Sequence, residues 1–179
     1  MKRRELLAAA STAAVALSGC ARSASDTQPD DTASPVGTTV PLSKYDCPPN
    51  GPTEDPVVCS HTVDTDGADI YLLTNPTTHS ETPTLTLHND SSSDLEFNPF
   101  QWTVMQHQPS GWVPVEKRSS GNGRLVVATG ETHSWTFEEV VNSINAQVTL
   151  DAGTYTASID VPNPRGSNWI RCVALVRLS

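Results

Sequence analysis

His61, His79, His88, His107 and His133 are the side chains best suited to ligate a metal or to move a proton, yet no two of them stand at i, i+2 or i, i+4. Without H-E-x-x-H or His-x-His spacing, nothing local brings two imidazoles to one face of a helix or strand. His88 and His107 would gather a metal only by meeting across neighbouring strands beside an acid. No G-x-S-x-G is present, and the serines cluster in turns and in the stretch after Cys20. Glu138–Glu139 are adjacent, and neighbours on a strand face opposite ways, so they do not form an acid pair for glycoside cleavage. Asp64–Asp69, DTDGAD, has the oxygen-rich look of a calcium loop but lacks a closing Glu at the right distance. No enzyme activity, metal or cofactor is expected from these residues.

Cys20 is the one residue whose flanks specify a reaction. Met1–Leu7 reads MKRRELL, and the run from Leu6 to Leu17 is mostly Ala, Leu and Val, which is the basic-then-apolar order of an export signal. At roughly a dozen residues the run is too short to span about 30 Å of hydrocarbon, which needs about 20. The Arg3–Arg4 pair followed by leucines resembles a twin-arginine export signal. Leu17-Ser18-Gly19-Cys20 resembles a lipobox, which implies cleavage before Cys20 and lipid on it as the new N-terminal residue. The signal is therefore assigned to residues 1–19, with Arg3, Arg4, Leu17 and Gly19 as its recognition residues.

Residues 20–45 are rich in Ser, Thr, Asp and Pro and poor in large apolar side chains. Such a stretch cannot bury enough surface to offset the entropy of ordering it, so a disordered acidic tether is expected. Its 24 residues between Cys20 and Tyr45 would reach roughly 25–30 Å as a flexible chain. The whole chain carries 11 basic and 20 acidic residues, a net charge of −9. Loss of Lys2, Arg3, Arg4 and Glu5 leaves 8 basic against 19 acidic, about −11, with Lys44 and Lys117 the only lysines. That balance argues against nucleic acid or anionic lipid headgroups as partners. It suits work in strong salt, where self-repulsion is screened within a few Å, as in a halophilic archaeon.

With Cys20 assigned to lipid, Cys47, Cys59 and Cys172 remain, and outside the membrane thiols usually pair. Cys47 and Cys59 bracket a turn-rich loop whose closure would contribute about 3 kcal/mol, and the local pair is slightly favoured. The competing bridge, from Cys59 or Cys47 to Cys172, would staple the ends of the domain. Residues 46–68 are set apart as a cysteine-flanked loop segment.

From about Val57 onward, short runs of alternating apolar and polar residues are separated by turn signals, with no sustained helical period. Candidate strands are Ile70–Thr74, Thr84–Asn89, Leu95–Phe97, Trp102–His107, Trp112–Val115, Arg124–Ala128, His133–Phe137, Gly153–Val161 and Trp169–Leu178. An all-β, antiparallel β-sandwich of 7–9 strands over residues 69–179 follows. In the last strand Ile170, Cys172, Ala174, Val176 and Leu178 share one face and Arg171 and Arg177 the other, so Cys172 points inward, either as a buried thiol or as one end of the staple. Leu150, Gly153 and Tyr155 have the spacing of a tyrosine corner, which makes Gly153 and Tyr155 structural residues. Of the large rings Phe100, Trp102, Trp112, Trp135 and Trp169, Trp102 is expected in the core and Phe100 is expected to fold under as a plug. Asn89-Asp90-Ser91 is an N-x-S sequon in a turn, a candidate glycosylation site.

The order "LHNDS", "NPFQW", "GWVPV", "VATGETHSW", "LDAGTY" and a closing apolar strand resembles the immunoglobulin-like domain of prokaryotic secreted lipoproteins of uncharacterised function, especially haloarchaeal ones. It is more distantly similar to the bacterial intracellular proteinase inhibitor domain. The likeness covers roughly Asp69–Leu178 and rests on structural motifs, the Gly130–Glu131 turn and the G-x-Y of Gly153 and Tyr155, so no catalytic residue carries over. It implies an immunoglobulin-like sandwich and, with the lipobox, a protein held in the cell membrane by lipid on Cys20 at the extracellular face. A non-enzymatic contact role toward a protein, a glycan or the envelope is expected. The alternatives are inhibition of secreted proteases through Ser91–Asp94 or Val161–Asn168 and, less favoured, a metal-dependent enzyme.

Overall fold

The computed structural model describes residues 41–49, 55–62, 67–75 and 82–179. The signal and lipobox residues, most of the expected tether, His79 and Asp64–Asp66 lie outside the described residues. The frame is set by two long strands, β9 (Gly153–Pro162) and β10 (Trp169–Leu178), which pair antiparallel from Gly153 opposite Leu178 to Pro162 opposite Trp169. On one side β9 carries β5 (Trp102–Gln108), which in turn carries β6 (Gly111–Pro114). On the other, β10 carries β1 (Val57–Cys59), which pairs parallel where the other pairs among the described residues are antiparallel. The facing sheet is β2 (Ile70–Thr74), β3 (Thr84–Asn89) and β8 (Thr132–Thr136), and β4 (Leu95–Phe97) pairs with β7 (Leu125–Val127).

The fold is the expected all-β sandwich, and its alternation is physical. Tyr155, Ala157, Ile159 and Val161 of β9 and Cys172, Ala174 and Val176 of β10 turn inward, onto Ile70 and Leu72, Leu85 and Leu87, Leu95 and Phe97. Trp102 is 1 % exposed, and its indole N–H donates to the Pro99 carbonyl at 2.9 Å. Burying such a ring without that bond would leave an unpaired donor. The Tyr155 hydroxyl donates to the Asp151 carbonyl at 2.9 Å and accepts from Gln106 Nε2 at 3.1 Å, the corner in which Tyr155 locks the crossover into β9.

Two expectations are corrected. Strand β8 ends at Thr136, and α1 (Phe137–Asn145) follows where no helix is expected. Phe137, Val140, Val141 and Ile144 recur at helical spacing and are all buried. Thr136 and Glu139 form a capping box: the Glu139 amide donates to Thr136 Oγ1 at 3.1 Å and the Thr136 amide donates to Glu139 Oε2 at 2.7 Å. Glu138 and Glu139 therefore stand in the first turn of a helix, where acidic side chains complement its dipole.

The second correction concerns the assignment of residues 41–45 to a tether and of 46–68 to a loop outside the sandwich. Leu42–Lys44 forms a 3-10 turn, Tyr45 docks on the sheet, and Val57–Cys59 is a strand of it. Cys47 and Cys59 are joined by a disulfide with Cα atoms 6.1 Å apart, and Cys172 is a buried free cysteine. The outward-facing Val173 and Leu175 are 1 % and 2 % exposed, and residues 41–49 form a strap tied to β1 by the disulfide. Cys59 stands opposite Val173 in register, and the Tyr45 hydroxyl meets Thr154 Oγ1 at 3.2 Å.

Candidate functional site

The strap binds the sheet through an aromatic trio. The Tyr45 ring lies edge-on to His107 at 4.8 Å between centroids, and His107 packs edge-on to Trp112 at 4.9 Å. Trp112 donates its indole N–H to the Asp46 carbonyl at 3.1 Å. His61 Nε2 is 3.0 Å from the Tyr45 carbonyl, while its Nδ1 is buried without a partner. Burial lowers the His61 pKa below its ordinary value, and the Tyr45 carbonyl and Asp46 charge only partly offset it. Tyr45 thus anchors the chain at the end of the sandwich where β9 begins at Gly153 and β5 turns into β6.

The opposite end is built from the turns after β3, β7 and β9. Asn89 there is fully buried. Its Nδ2 donates to the Ser93 and Val127 carbonyls, both at 2.9 Å, and its Oδ1 accepts from Ser91 Oγ at 2.6 Å. This corrects the expectation of a glycosylation site: in the folded domain the amide nitrogen has spent both hydrogens inside the protein and offers no access. Gly130, at φ 75°, is the left-handed residue that returns the chain toward β8, and its amide donates to the Asn89 carbonyl at 2.7 Å.

Residues 163–168, between β9 and β10, form a closed, internally bonded turn. Asn163 Nδ2 donates to Asn168 Oδ1 at 2.9 Å, and the Arg165 amide donates to Asn163 Oδ1 at 2.9 Å. Arg165 pairs with Asp69 at the entry to β2. Beside this turn Trp169 is 46 % exposed. Below it an apolar cleft of about 270 Å³ is walled by Pro56, Val58, Ile70, Pro164 and Ile170. The turn is compact, whereas a loop that occupies a protease cleft must be held extended.

No two of the described histidines are in ring contact with each other. His88 stacks on Tyr71 at 4.6 Å and His133 packs on Trp135 at 4.4 Å, while His61 and His107 flank the strap. Among the described residues no group of three His, Cys, Asp or Glu side chains is placed to hold a metal ion. Cys172, fully buried, has its pKa pushed up to about 12 by desolvation, so its thiol is not a nucleophile at neutral pH.

Phe100 does not fold under; it remains 39 % exposed. With Trp135 it forms a second surface feature, a side cleft beside Glu139, Asn142 and Ser143 of α1. The helix that completes this cleft was signalled by Thr136-x-x-Glu139 and by the 137, 140, 141, 144 spacing. No protein-family model matches the chain, and no curated protein matches it.

Proposed function

We propose that this protein is a lipid-anchored contact module of the extracellular face. In this reading Cys20 carries the anchor, and the immunoglobulin-like sandwich engages a protein, a glycan or another envelope component without catalysing a reaction. The carrying observation is the polarity of the domain. The described chain first docks at Tyr45, by Thr154 and His107, while the braced turns at residues 89–94 and 163–168 and the exposed Trp169 occupy the other end. A turn held by its own hydrogen bonds loses little entropy on binding, and an exposed tryptophan is the side chain most often found at the centre of a contact. The resemblance to immunoglobulin-like lipoprotein domains, the twin-arginine signal and the lipobox support the same reading.

The test is fractionation and site-specific photo-crosslinking of the full chain in its native salt. The wild type is expected in the membrane fraction and Cys20→Ser in the soluble one. A photo-reactive residue at Ser167 is expected to capture an envelope component that one at Ser110 does not. Membrane retention of uncut Cys20→Ser would overturn the anchor, and equal or absent capture from the two ends would overturn the polarity.

A further inference from the structure

We infer that the cleft between Phe100 and Trp135 is a binding site for a neutral saccharide. It is separate from the end carrying residues 163–168, and it does not depend on what that end contacts. The cleft encloses about 400 Å³ and is lined by Pro99, Phe100, Trp135, Glu139, Asn142 and Ser143, with Trp102 at its floor. That volume is within the range of small-molecule sites.

Its two rings are held in place. A Cβ on Gly121 would come within 2.6 Å of Phe100, and one on Gly123 within 2.7 Å, so two glycines make the seat on which one side of the ring rests. Asn98 ties this seat together, donating from Nδ2 to the Gly121 carbonyl and accepting from the Phe100 amide, both at 3.1 Å. Trp135 is braced edge-on against Trp102, with centroids 5.1 Å apart and planes at 82°. An apolar ring left this exposed, on a seat formed by two residues without side chains, is pre-organised to stack rather than to fill the core.

The polar groups choose the ligand. Glu139 Oε2 accepts hydrogen bonds from both the amide and the hydroxyl of Thr136, at 2.7 and 2.9 Å. Ser143 Oγ donates to the Val140 carbonyl at 2.7 Å. Trp102 has spent its N–H on Pro99. The Trp135 N–H and the exposed Asn142 amide have no partner among the described residues. Apart from Glu139 Oε1, the uncommitted groups are therefore neutral donors and an acceptor beside two aromatic rings, which suits the hydroxyls and apolar C–H faces of a sugar. A net charge of −9 and the Glu139 carboxylate disfavour an anion. Glu139 Oε2 is engaged in the helix cap but the carboxylate keeps its charge, so a cation is the competing occupant that the choline arm of the test separates.

The test is a nitrogen–proton NMR titration of the full chain carrying Cys20→Ser with maltohexaose, cellohexaose and mannohexaose, and separately with choline. At least one neutral oligosaccharide is expected to shift the Trp135 Nε1–H and the Asn142 side-chain resonances. Phe100→Ala and Asn142→Ala, which remove exposed groups, are expected to weaken that binding about tenfold. Trp135→Phe keeps a packed ring, and it is expected to weaken binding through the lost N–H and the smaller stacking surface. The proposal fails if none of the three sugars moves these resonances, if choline binds in their place, or if the shifts persist unchanged in both alanine variants. The Ser167 crosslink is unaffected by any of these results.

Discussion

The side-chain amide of Asn89 donates to the main-chain carbonyl of Val127 at 2.9 Å, tying the last residue of β3 to the last residue of β7 across two separate sheets. With Ser91 and Ser93 bonded to the same side chain, one residue closes the end of the sandwich that carries the braced turns.

Asn89→Ala takes their side-chain partner from the Val127 carbonyl and the Ser91 amide, while the Ser91 hydroxyl keeps the Ser93 carbonyl. At about 1–3 kcal/mol for each unsatisfied group, a loss of roughly 2–4 kcal/mol is expected in urea unfolding. Asn89→Asp, which sets a carboxylate against two carbonyls, is expected to be worse. Intact mass of the protein purified from its native host is expected to show no glycan on Asn89. Unchanged stability in both variants would contradict the closing role.

The strap carries a pH dependence whose sign follows from His61. Its folded-state pKa lies below the unfolded value of 6.5 because burial disfavours the charged ring. Its contribution is therefore complete above about pH 6.5 and is lost as pH falls toward the folded-state value. Protonation would also put an N–H at the partnerless Nδ1. Asp46, Lys44 and His107 are the other titratable groups about Tyr45. Hydrogen-exchange protection of residues 41–49 is expected to fall between pH 7.5 and 5, and to lose most of that dependence in His61→Gln. An identical pH response in the variant would place the effect elsewhere.

The cysteines separate by chemistry. The double variant Cys47→Ser, Cys59→Ser is expected to lose about 3 kcal/mol of stability from the opened loop. In the Cys20→Ser form, unreduced, one thiol is expected to react with an aromatic disulfide reagent, and only after denaturation, because Cys172 is wholly buried with its pKa raised to about 12. A thiol that reacts in the native protein at pH 8 would refute that burial.

Gly121 and Phe100 are coupled by space. Gly121→Ala places a methyl against the ring and is expected to lose about 1–3 kcal/mol by overpacking. In a Phe100→Gly background, which removes the Cβ as well as the ring, the same change is expected to be nearly neutral. Additive losses in this double-mutant cycle would show that the ring does not rest on Gly121.

Much of the sandwich is legible in the chain because period-2 alternation is a local property. Leu85 and Leu87, Trp102 and Val104, and Cys172, Ala174 and Val176 each announce an inward face. Tyr155 and Gly153 announce the corner. The helix α1 carries its own local signs, but they sit directly after a strand and include two valines, which favour extended backbone. The capping box and the docking of Phe137 and Ile144 in the core outweigh that preference.

By itself the sequence determined the positions of most strands, the acidic balance, the local spacing of Cys47 and Cys59, and the expectation of an export signal ending before Cys20. These depend on neighbours along the chain. Only the tertiary structure decided that Asn89 is buried, that Tyr45 and Asp46 dock against β5, β6 and β9, that Cys172 stays a free thiol, and that Phe100 and Trp135 wall one cleft. Each of those depends on groups far apart in sequence meeting at a distance of a few Å, and no local pattern encodes which of them will meet.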